Sequence, residues 1–285
     1  MHTKLFPWIL IVLWFTIGGI EFVHDANAAE PKSDDVTKAE SQTSAELATA
    51  EVALWKFRLT KEPTRELTLV TTPILRWTNP VVGRVYGTVY VVTDDGRPQA
   101  IVSPYKWFTP YTGMDIECRS LASTDIEGIR DQKSVWSTSK PGVEWKPVPG
   151  DPAVGKTAAE RQRQMKQLAR EFTAELLDTR AKESGDDQEL RQMTQPVYHY
   201  ESPTHHVLEG GVFAFVIATD PELFLVLEAV ESQGTSVWRY GLARMNSDKL
   251  AVKFRNKEIW GVDRISYEVY RDPKQPFFGL VVPLK

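Results

Sequence analysis

Residues 150–157 (GDPAVGKT) match the phosphate-binding pattern G-x-x-x-x-G-K-[ST] at every fixed position. In nucleotide-binding proteins the glycines let backbone N–H groups close on phosphates, while the lysine and the hydroxyl residue contact phosphate and magnesium. Such a loop needs a buried strand before it, but residues 143–149 (VEWKPVP) carry two charges and two prolines. Proline cannot donate to a central sheet ladder. We interpret the match as spurious and assign no nucleotide-binding residues. A P-loop nucleotide-binding protein remains a remote alternative.

A second group of candidate residues lies in the segment 199–206 (HYESPTHH), which holds every histidine found after residue 28. Imidazole and carboxylate groups are common metal ligands. His199, Glu201, His205 and His206 are therefore the candidate metal ligands. Their spacing fits no standard zinc pattern, and Ser-Pro-Thr in the middle is typical of a surface loop with solvated side chains. No cofactor is predicted.

The densest aromatic cluster is residues 105–111 (YKWFTPY). On a strand, Tyr105 and Trp107 share one face and Phe108 takes the other. An exposed aromatic strip of Tyr105, Trp107 and Tyr111 would stack on sugar rings or on a protein partner. The alternative is that these side chains fill the core of a sheet.

Catalytic residues cannot be chosen from the sequence. Cys118 is the only cysteine, and in an exported protein a free thiol is more often a buried small hydrophobe than a nucleophile. No G-x-S-x-G elbow accompanies a serine. Carboxylates are numerous but scattered, so no glycosidase pair stands out. An enzymatic role is not established by any motif.

The first 28 residues predict a secretory signal peptide. Lys4 gives a positive start, residues 5–20 are uncharged and apolar, and Ala26-Asn27-Ala28 offers a small-residue cleavage site. The alternative is an uncleaved N-terminal membrane anchor. No later apolar run is long enough to span a membrane, so no membrane-spanning segment is expected after signal cleavage. Residues 29–50, rich in small and polar residues, predict a flexible linker.

Residues 51–285 predict a single α+β domain, which could also divide into two β-rich halves that flank a helix. Strands are predicted on both sides of Asp94-Asp95-Gly96-Arg97, whose Asp-Gly pair is a strong hairpin signal. Further strands follow in residues 212–229 and beyond. Between these regions, a capping box at Thr157 and Glu160 predicts one long amphipathic helix over about 157–182. The expected body is a mainly antiparallel β-sheet.

Several phrases of the chain are similar to known sequences: GVEWKPVPG (142–150), RQMKQLAREF (163–172), QPVYHYE (195–201), GGVFAFVIATDPELFLVLEA (210–229) and WRYGLARMNS (238–247). They resemble an uncharacterised family of exported proteins from planctomycete-type bacteria, over roughly residues 75–262. The resemblance implies one domain with strands, then a helix, then a hairpin. It also implies that the segment before the helix is not a phosphate loop, and it carries no known activity or site residues.

The formal net charge is −4, which gives no basic footprint for nucleic acid. The sequence therefore predicts an exported, periplasmic or extracellular binding or interaction module. Its expected partners are a protein, cell-envelope material or a carbohydrate. The alternative is a secreted hydrolase that uses carboxylates or the histidine segment.

Overall fold

The computed structural model describes residues 33–177 and 187–283. The predicted signal peptide, residues 1–28, lies outside them. The helices are α1 (Ser33–Val52), α2 (Ala158–Ala169) and α3 (Tyr267–Tyr270). The strands are β1 (Trp55–Leu59), β2 (Glu66–Thr78), β3 (Arg84–Asp94), β4 (Arg97–Thr109), β5 (Gly113–Ser120), β6 (Ile126–Arg130), β7 (Lys133–Ser137), β8 (Lys146–Pro147), β9 (Phe172–Leu177), β10 (Gln188–Gln192), β11 (Tyr198–Ser202), β12 (Val207–Ile217), β13 (Asp220–Ser232), β14 (Thr235–Arg244), β15 (Lys249–Phe254), β16 (Lys257–Val262) and β17 (Phe277–Val282).

These strands form two antiparallel sheets, as predicted for an α+β chain. The first sheet has the order β17-β5-β4-β3-β2-β1-β6-β7, and the second has the order β16-β15-β9-β10-β12-β13-β14-β8, with β11 added beside β12. The Asp94–Arg97 hairpin is confirmed: these two residues pair, and Asp95 and Gly96 both have positive φ. Two central residues with positive φ match the right-handed twist of the flanking strands.

The central strands are apolar on both faces, because each sheet is covered on both sides. In β3, Val89 and Val91 face the second sheet, whereas Tyr90 and Val92 belong to a cluster that includes residues of α1. β12 and β13 alternate in the same way between the first sheet and α2. This period of two places one core between the sheets and one core on the outer side of each sheet.

Each sheet also curls around its outer core. Trp136 of β7 and Phe278 of β17 come from opposite ends of the first sheet, yet they lie in one cluster. In the second sheet, Phe172 of β9 packs against Tyr240 of β14 with ring centroids 5.3 Å apart. Curling brings the sheet ends together over the buried face of a helix.

The prediction of a long helix over 157–182 is wrong. α2 ends at Ala169, and Phe172–Leu177 forms β9, whose alternate residues are buried. Phe172 and Leu176 fit a helical stripe and an alternating strand equally well, since both patterns place positions i and i+4 on one face. Backbone pairing with β10 and β15 selects the strand. Residues 178–182 lie outside the described residues.

The prediction of a flexible linker over 29–50 is also wrong for residues 33–50. They belong to α1, which buries Ala45, Ala48 and Val52. Ser44 Oγ donates to the Tyr86 carbonyl at 2.6 Å, and Glu51 pairs with Arg130. Small alanine and serine side chains give little hydrophobic signal in the sequence, but they let this helix lie close against the first sheet.

Candidate functional site

A cleft of about 300 Å³ lies where the two sheets meet. The first sheet supplies one wall from β2 to β5. The second sheet supplies the other from the start of β13 and the loop after β14, and α3 adds Tyr270. We call this feature the carboxyl–aromatic cleft. Its lining is Trp77, Val82, Val85, Tyr105, Trp107, Glu117, Asp220, Glu222, Met245, Asn246, Ser247, Asp248 and Tyr270.

Aromatic rings form one wall of the cleft. Tyr105 and Trp107 share a face of β4, as predicted, and both line the cleft. Trp77 packs on Tyr105 with ring centroids 5.5 Å apart, and its indole N–H donates to Ser103 Oγ at 3.1 Å. Tyr111 is 66% exposed and lies edge-on to Trp107 outside the lining. The structure therefore brings two of the three predicted aromatic residues into the cleft.

Two glycines allow two of these rings to lie flat on neighbouring strands. A Cβ atom at Gly87 would overlap the Trp77 indole, and a Cβ atom at Gly279 would overlap the Tyr270 ring. Because glycine has no side chain, the two rings can lie directly against the backbone at these positions. The Trp77 and Tyr270 rings are thus positioned by the backbone of the strands that they cover.

Of the four carboxyl groups in the cleft lining, Asp248 pairs with Arg264, and the other three face the aromatic wall. Glu117 Oε1 accepts a hydrogen bond from the Tyr270 hydroxyl at 2.9 Å. Asp220 Oδ2 accepts from the Asn79 amide at 3.1 Å, and Glu222 Oε2 accepts from the Asn246 amide. Among residues 33–177 and 187–283, none of the three carboxyls forms an ion pair with lysine, arginine or histidine. Every hydrogen bond that they accept in this part of the chain therefore comes from a neutral donor.

The cleft shifts these carboxyls toward their protonated forms. Burial, followed by the charge of Asp220, raises the pKa of Glu117 to about 8. Burial raises the pKa of Asp220 to about 7. Burial and the charge of Asp220 raise the pKa of Glu222 well above its ordinary value. At neutral pH the cleft holds protons on adjacent carboxyls, which can then donate as well as accept.

Two of the neighbouring arginines pair with other carboxylates, and a third binds backbone carbonyls. Arg271 Nη2 lies 2.8 Å from Asp115 Oδ1, and its guanidinium covers the Tyr270 ring at 4.9 Å. Arg264 Nε lies 3.0 Å from Asp248 Oδ1. Arg244 is held by three backbone carbonyls, those of Asn246, Asp248 and Asp263. None of these three guanidinium groups pairs with Glu117, Asp220 or Glu222.

Sequence reasoning missed Glu117, Asp220 and Glu222. A signal was present, since Glu117 stands between Ile116 and Cys118, and Glu222 precedes a run of apolar strand residues. A carboxylate inside an apolar strand is rarely buried without a reason. Their hydrogen-bond partners are Tyr270 of α3, Asn79 after β2 and Asn246 after β14, so the convergence of the three carboxyls depends on how the two sheets pack.

The candidate metal ligands do not converge. His199 Nε2 contacts Glu209 Oε1, whereas His205 Nε2 lies 3.0 Å from Asp94 Oδ2. Glu201 and His206 are exposed. Within the part of the chain that the structure describes, no three His, Cys, Asp or Glu side chains are grouped to hold a metal ion.

The histidine segment instead docks the tip of the β3–β4 hairpin. Asp95 Oδ2 accepts from the Thr204 hydroxyl at 2.7 Å and from the Thr204 backbone N–H at 3.1 Å. These hydrogen bonds lower the pKa of Asp95, which keeps the carboxylate ionised. The segment thus joins the first sheet to the second.

The 150–157 loop lacks the surroundings of a phosphate loop. Its preceding strand, β8, has two residues and pairs antiparallel at the edge of the second sheet. The Gly155 N–H, which would face phosphate, donates to Gln164 Oε1 at 2.7 Å. The capping box is confirmed, with Thr157 Oγ1 accepting from the Glu160 N–H and Glu160 Oε2 accepting from the Thr157 N–H.

Beside this loop lies a larger recess of about 410 Å³, lined by Pro152, Gln164, Gln167, Leu168, Glu171, Trp238 and Arg255. Its two charged residues already pair with each other, at 3.0 Å. Cys118 is fully buried on the α1 side of β5, where burial raises the pKa of its thiol well above the ordinary value. The recess holds the buried Trp238 indole N–H, which has no hydrogen-bond partner among the described residues, but neither feature offers a carboxyl without a cationic partner, as the carboxyl–aromatic cleft does.

Comparisons of the chain with protein-family models, with curated proteins and with solved structures found no match. Within the described residues, no helix combines the length and the apolar character needed to cross a membrane. The function of the cleft therefore has to be inferred from its own geometry and chemistry.

Proposed function

We propose that this protein is an exported binding module, acting in the periplasm or at the cell surface, and that the carboxyl–aromatic cleft is its ligand-binding site. The signal-peptide pattern of residues 1–28 supports export. The partner classes that fit are a protein, cell-envelope material or a carbohydrate, each of which can present a small group to the cleft.

One observation carries the proposal: aromatic rings and three carboxyls that have no ion pair in the described part of the chain line one cleft. Folding gains little from placing Glu117, Asp220 and Glu222 together, because burial and mutual repulsion both oppose their ionisation. Clefts that combine aromatic walls with a few polar groups of shifted pKa are typical of ligand sites. Tyr105 and Trp107 would supply stacking surface, and the carboxyls would supply directed hydrogen bonds.

A thermal-shift panel tests this proposal on the chain without residues 1–28. The panel holds neutral oligosaccharides, small amines, basic peptides and Mg-ATP, each at millimolar concentration. A ligand at 100 times its Kd stabilises the folded state by about 2.7 kcal/mol. We expect stabilisation by at least one class of compound, lost in Trp107→Ala and kept in Phe108→Ala, which alters the opposite face of β4.

Two results would count against the proposal. One is a panel in which no compound shifts the melting temperature of the wild-type protein. The other is a shift that Trp107→Ala leaves intact, which would place the ligand elsewhere. Export is tested separately: we expect the full chain expressed in a Gram-negative host to appear in the periplasmic fraction with Ala29 as its N-terminus. A retained N-terminal segment would favour the membrane anchor.

The second candidate function is a secreted hydrolase, which the pKa shifts of Glu117 and Asp220 favour. Glycoside hydrolysis uses one protonated and one ionised carboxyl on opposite sides of the bond, and pKa values near neutrality suit proton transfer. Release of reducing sugars from cell-wall polysaccharides by wild type, abolished in Glu117→Gln and Asp220→Asn, would support hydrolysis. Stable binding without turnover would leave the binding module as the function.

A further inference from the structure

The most buried of the three cleft carboxyls is left with an unused oxygen. Glu222 is 3% exposed, and its Oε2 accepts from Asn246. Its Oε1 has no hydrogen-bond partner among residues 33–177 and 187–283, although the residue lines the cleft. A buried carboxylate normally has a cationic partner or becomes neutral. The cleft therefore has an acceptor position that a bound donor would fill.

The same chain shows how it satisfies a buried carboxylate when cations are present. Glu228 is fully buried and receives Arg97 Nε at 2.7 Å, Arg239 Nη2 at 2.6 Å and the Tyr200 hydroxyl at 2.8 Å. Both guanidinium groups lie over the Trp145 ring, at 5.0 Å and 4.6 Å from its centroid. Carboxylate, tyrosine hydroxyl and indole face thus enclose two organic cations.

The consequence for ionisation is opposite at the two glutamates. Burial alone would raise the pKa of Glu228, but the charges and hydrogen bonds of Arg97 and Arg239 hold it below its ordinary value. Glu222 has a similar burial and no cationic partner among the described residues, and burial raises its pKa well above the ordinary value. The carboxyl–aromatic cleft repeats the carboxyl, tyrosine and tryptophan components of the Glu228 site, but within residues 33–177 and 187–283 no lysine, arginine or histidine pairs with Glu222.

We propose that the carboxyl–aromatic cleft binds an organic cation with an apolar stem: a primary amine or a guanidinium group, either as a free molecule or as the end of a basic side chain. The positive group would bind Glu222 Oε1 and be attracted by the charges of the neighbouring Asp220 and Glu117, and the stem would lie on Trp107 and Tyr105. Aromatic faces attract cations as well as apolar surface. This inference rests on the proposed function and selects, among its partners, those that carry such a group.

The charges around Glu222 favour a cation over a neutral ligand. From β5 it faces Glu117, with Asp115 beyond, and from β13 it faces Asp220. The loop after β14 adds Asp248, paired with Arg264. Among the described residues, Arg271 is the arginine whose charge acts on Glu117, and its Nη2 binds Asp115. A bound cation would lower the pKa of all three cleft carboxyls and release their protons.

A matched pair of probes tests the charge requirement: 2-phenylethylamine is a cation at neutral pH, and 2-phenylethanol has a similar shape without the charge. Calorimetric titration of the chain without residues 1–28 should show the amine binding roughly tenfold or more tightly than the alcohol. Titration in two buffers of different ionisation enthalpy should show proton release with the amine. Affinity for the amine should rise from about pH 5 to about pH 8 as the carboxyls ionise.

Variants locate the effect. Glu222→Gln keeps the shape and the Asn246 contact but removes the charge, so we expect roughly tenfold weaker amine binding and fewer protons released. Glu144→Gln is the matched control, because its side chain is 76% exposed and its loss should leave amine binding unchanged. Glu117→Gln serves as a second test if Glu222→Gln has a disturbed circular-dichroism spectrum. N-acetyl-lysine amide and agmatine distinguish side-chain amines from guanidinium groups.

The outcomes separate this inference from the proposed function. Equal binding of amine and alcohol, both lost in Trp107→Ala, would overturn the cation and keep the cleft as a ligand site. Competition of Ca²⁺ with the amine at equal concentration, with Ca²⁺ bound more tightly, would overturn the organic cation in favour of a metal ion. Absence of binding by every compound, including those of the thermal-shift panel, would overturn both proposals.

Discussion

Glu222 and Glu228 show at the level of single residues how one chemical group takes two roles in this protein. Both are buried glutamates on β13. Glu228 is surrounded by Arg97, Arg239 and Tyr200 and serves to join the sheets. Within residues 33–177 and 187–283, the Glu222 side chain accepts a hydrogen bond only from the Asn246 amide, and the charges of Asp220 and Glu117 oppose its ionisation. An ionisable group that the fold leaves uncompensated costs stability, and this cost is typical of functional sites.

The pKa shifts predict how stability responds to pH. The folded-state pKa of Glu117, about 8, lies above its ordinary value of 4.5, so the folded state holds this proton over a pH range in which the unfolded chain has lost it. The contribution of the protonated Glu117 to the free energy of unfolding is therefore fully present below about pH 4 and is lost as pH rises through about pH 8. Glu117→Gln removes this pH-dependent loss of stability, because glutamine does not ionise. We expect the variant to gain about 1–2 kcal/mol relative to wild type between pH 5 and about pH 8, a value reduced because the cleft is open to water.

Urea denaturation of wild type and of Glu117→Gln at about pH 5 and about pH 8 measures this difference in the free energy of unfolding. The difference between variant and wild type removes the pH-dependent contributions of other carboxyls, which both proteins share. Asp95 is one of these, and its lowered pKa makes stability change with pH in the opposite direction. Glu144→Gln, an exposed change, should follow wild type at both values. Parallel pH profiles for Glu117→Gln and wild type would contradict the raised pKa.

At the level of elements, α2 accounts for the phosphate-like motif. The residues that match the motif serve the start of a helix: Thr157 caps it, Glu160 returns the hydrogen bond, and Gln164 holds the loop through Gly155. Threonine and glycine are favoured at such a start for reasons of backbone geometry. A phosphate ligand is not needed to explain their presence.

The capping box makes a direct prediction. Thr157→Ala should lower the free energy of unfolding by about 1 kcal/mol, because the Glu160 N–H loses its acceptor. Thr157→Ser keeps the hydroxyl and should cost less than half as much. Chemical denaturation measures both values. Equal losses in the two variants would show that the hydroxyl does not cap the helix, and a stabilising effect of Mg-ATP that Lys156→Ala removes would restore the nucleotide alternative.

The sequence predicted correctly those elements whose backbone geometry is determined by a few adjacent residues. The Asp95-Gly96 hairpin, the Thr157 cap and the shared face of Tyr105 and Trp107 each follow from a few adjacent residues. The end of α2 did not, because the spacing of Phe172 and Leu176 fits a helix and a strand, and pairing with β10 and β15 decides between them. α1 was missed because alanine and serine bury little apolar area per residue.

At the scale of the whole molecule, the packing of the two sheets creates the site. The aromatic wall belongs to the first sheet, and two of the three carboxyls belong to the second, so neither sheet contains the cleft alone. The convergence of the three carboxyls could not be predicted from one sequence, since Glu117 and Glu222 are separated by about a hundred residues. The sheets are held in this arrangement by the apolar core between them and by the Arg97–Glu228 pair.

Direct titration of the cleft carboxyls tests the central claim, that a binding site with protonated carboxyls lies between the sheets. In carboxyl ¹³C NMR of glutamate- and aspartate-labelled protein, we expect Glu117 to titrate at about pH 8 and Asp220 at about pH 7. Saturating 2-phenylethylamine should move both midpoints to lower pH, while Glu144 does not respond. Midpoints near the ordinary values of 4.5 and 3.8, unchanged by the amine, would contradict the claim.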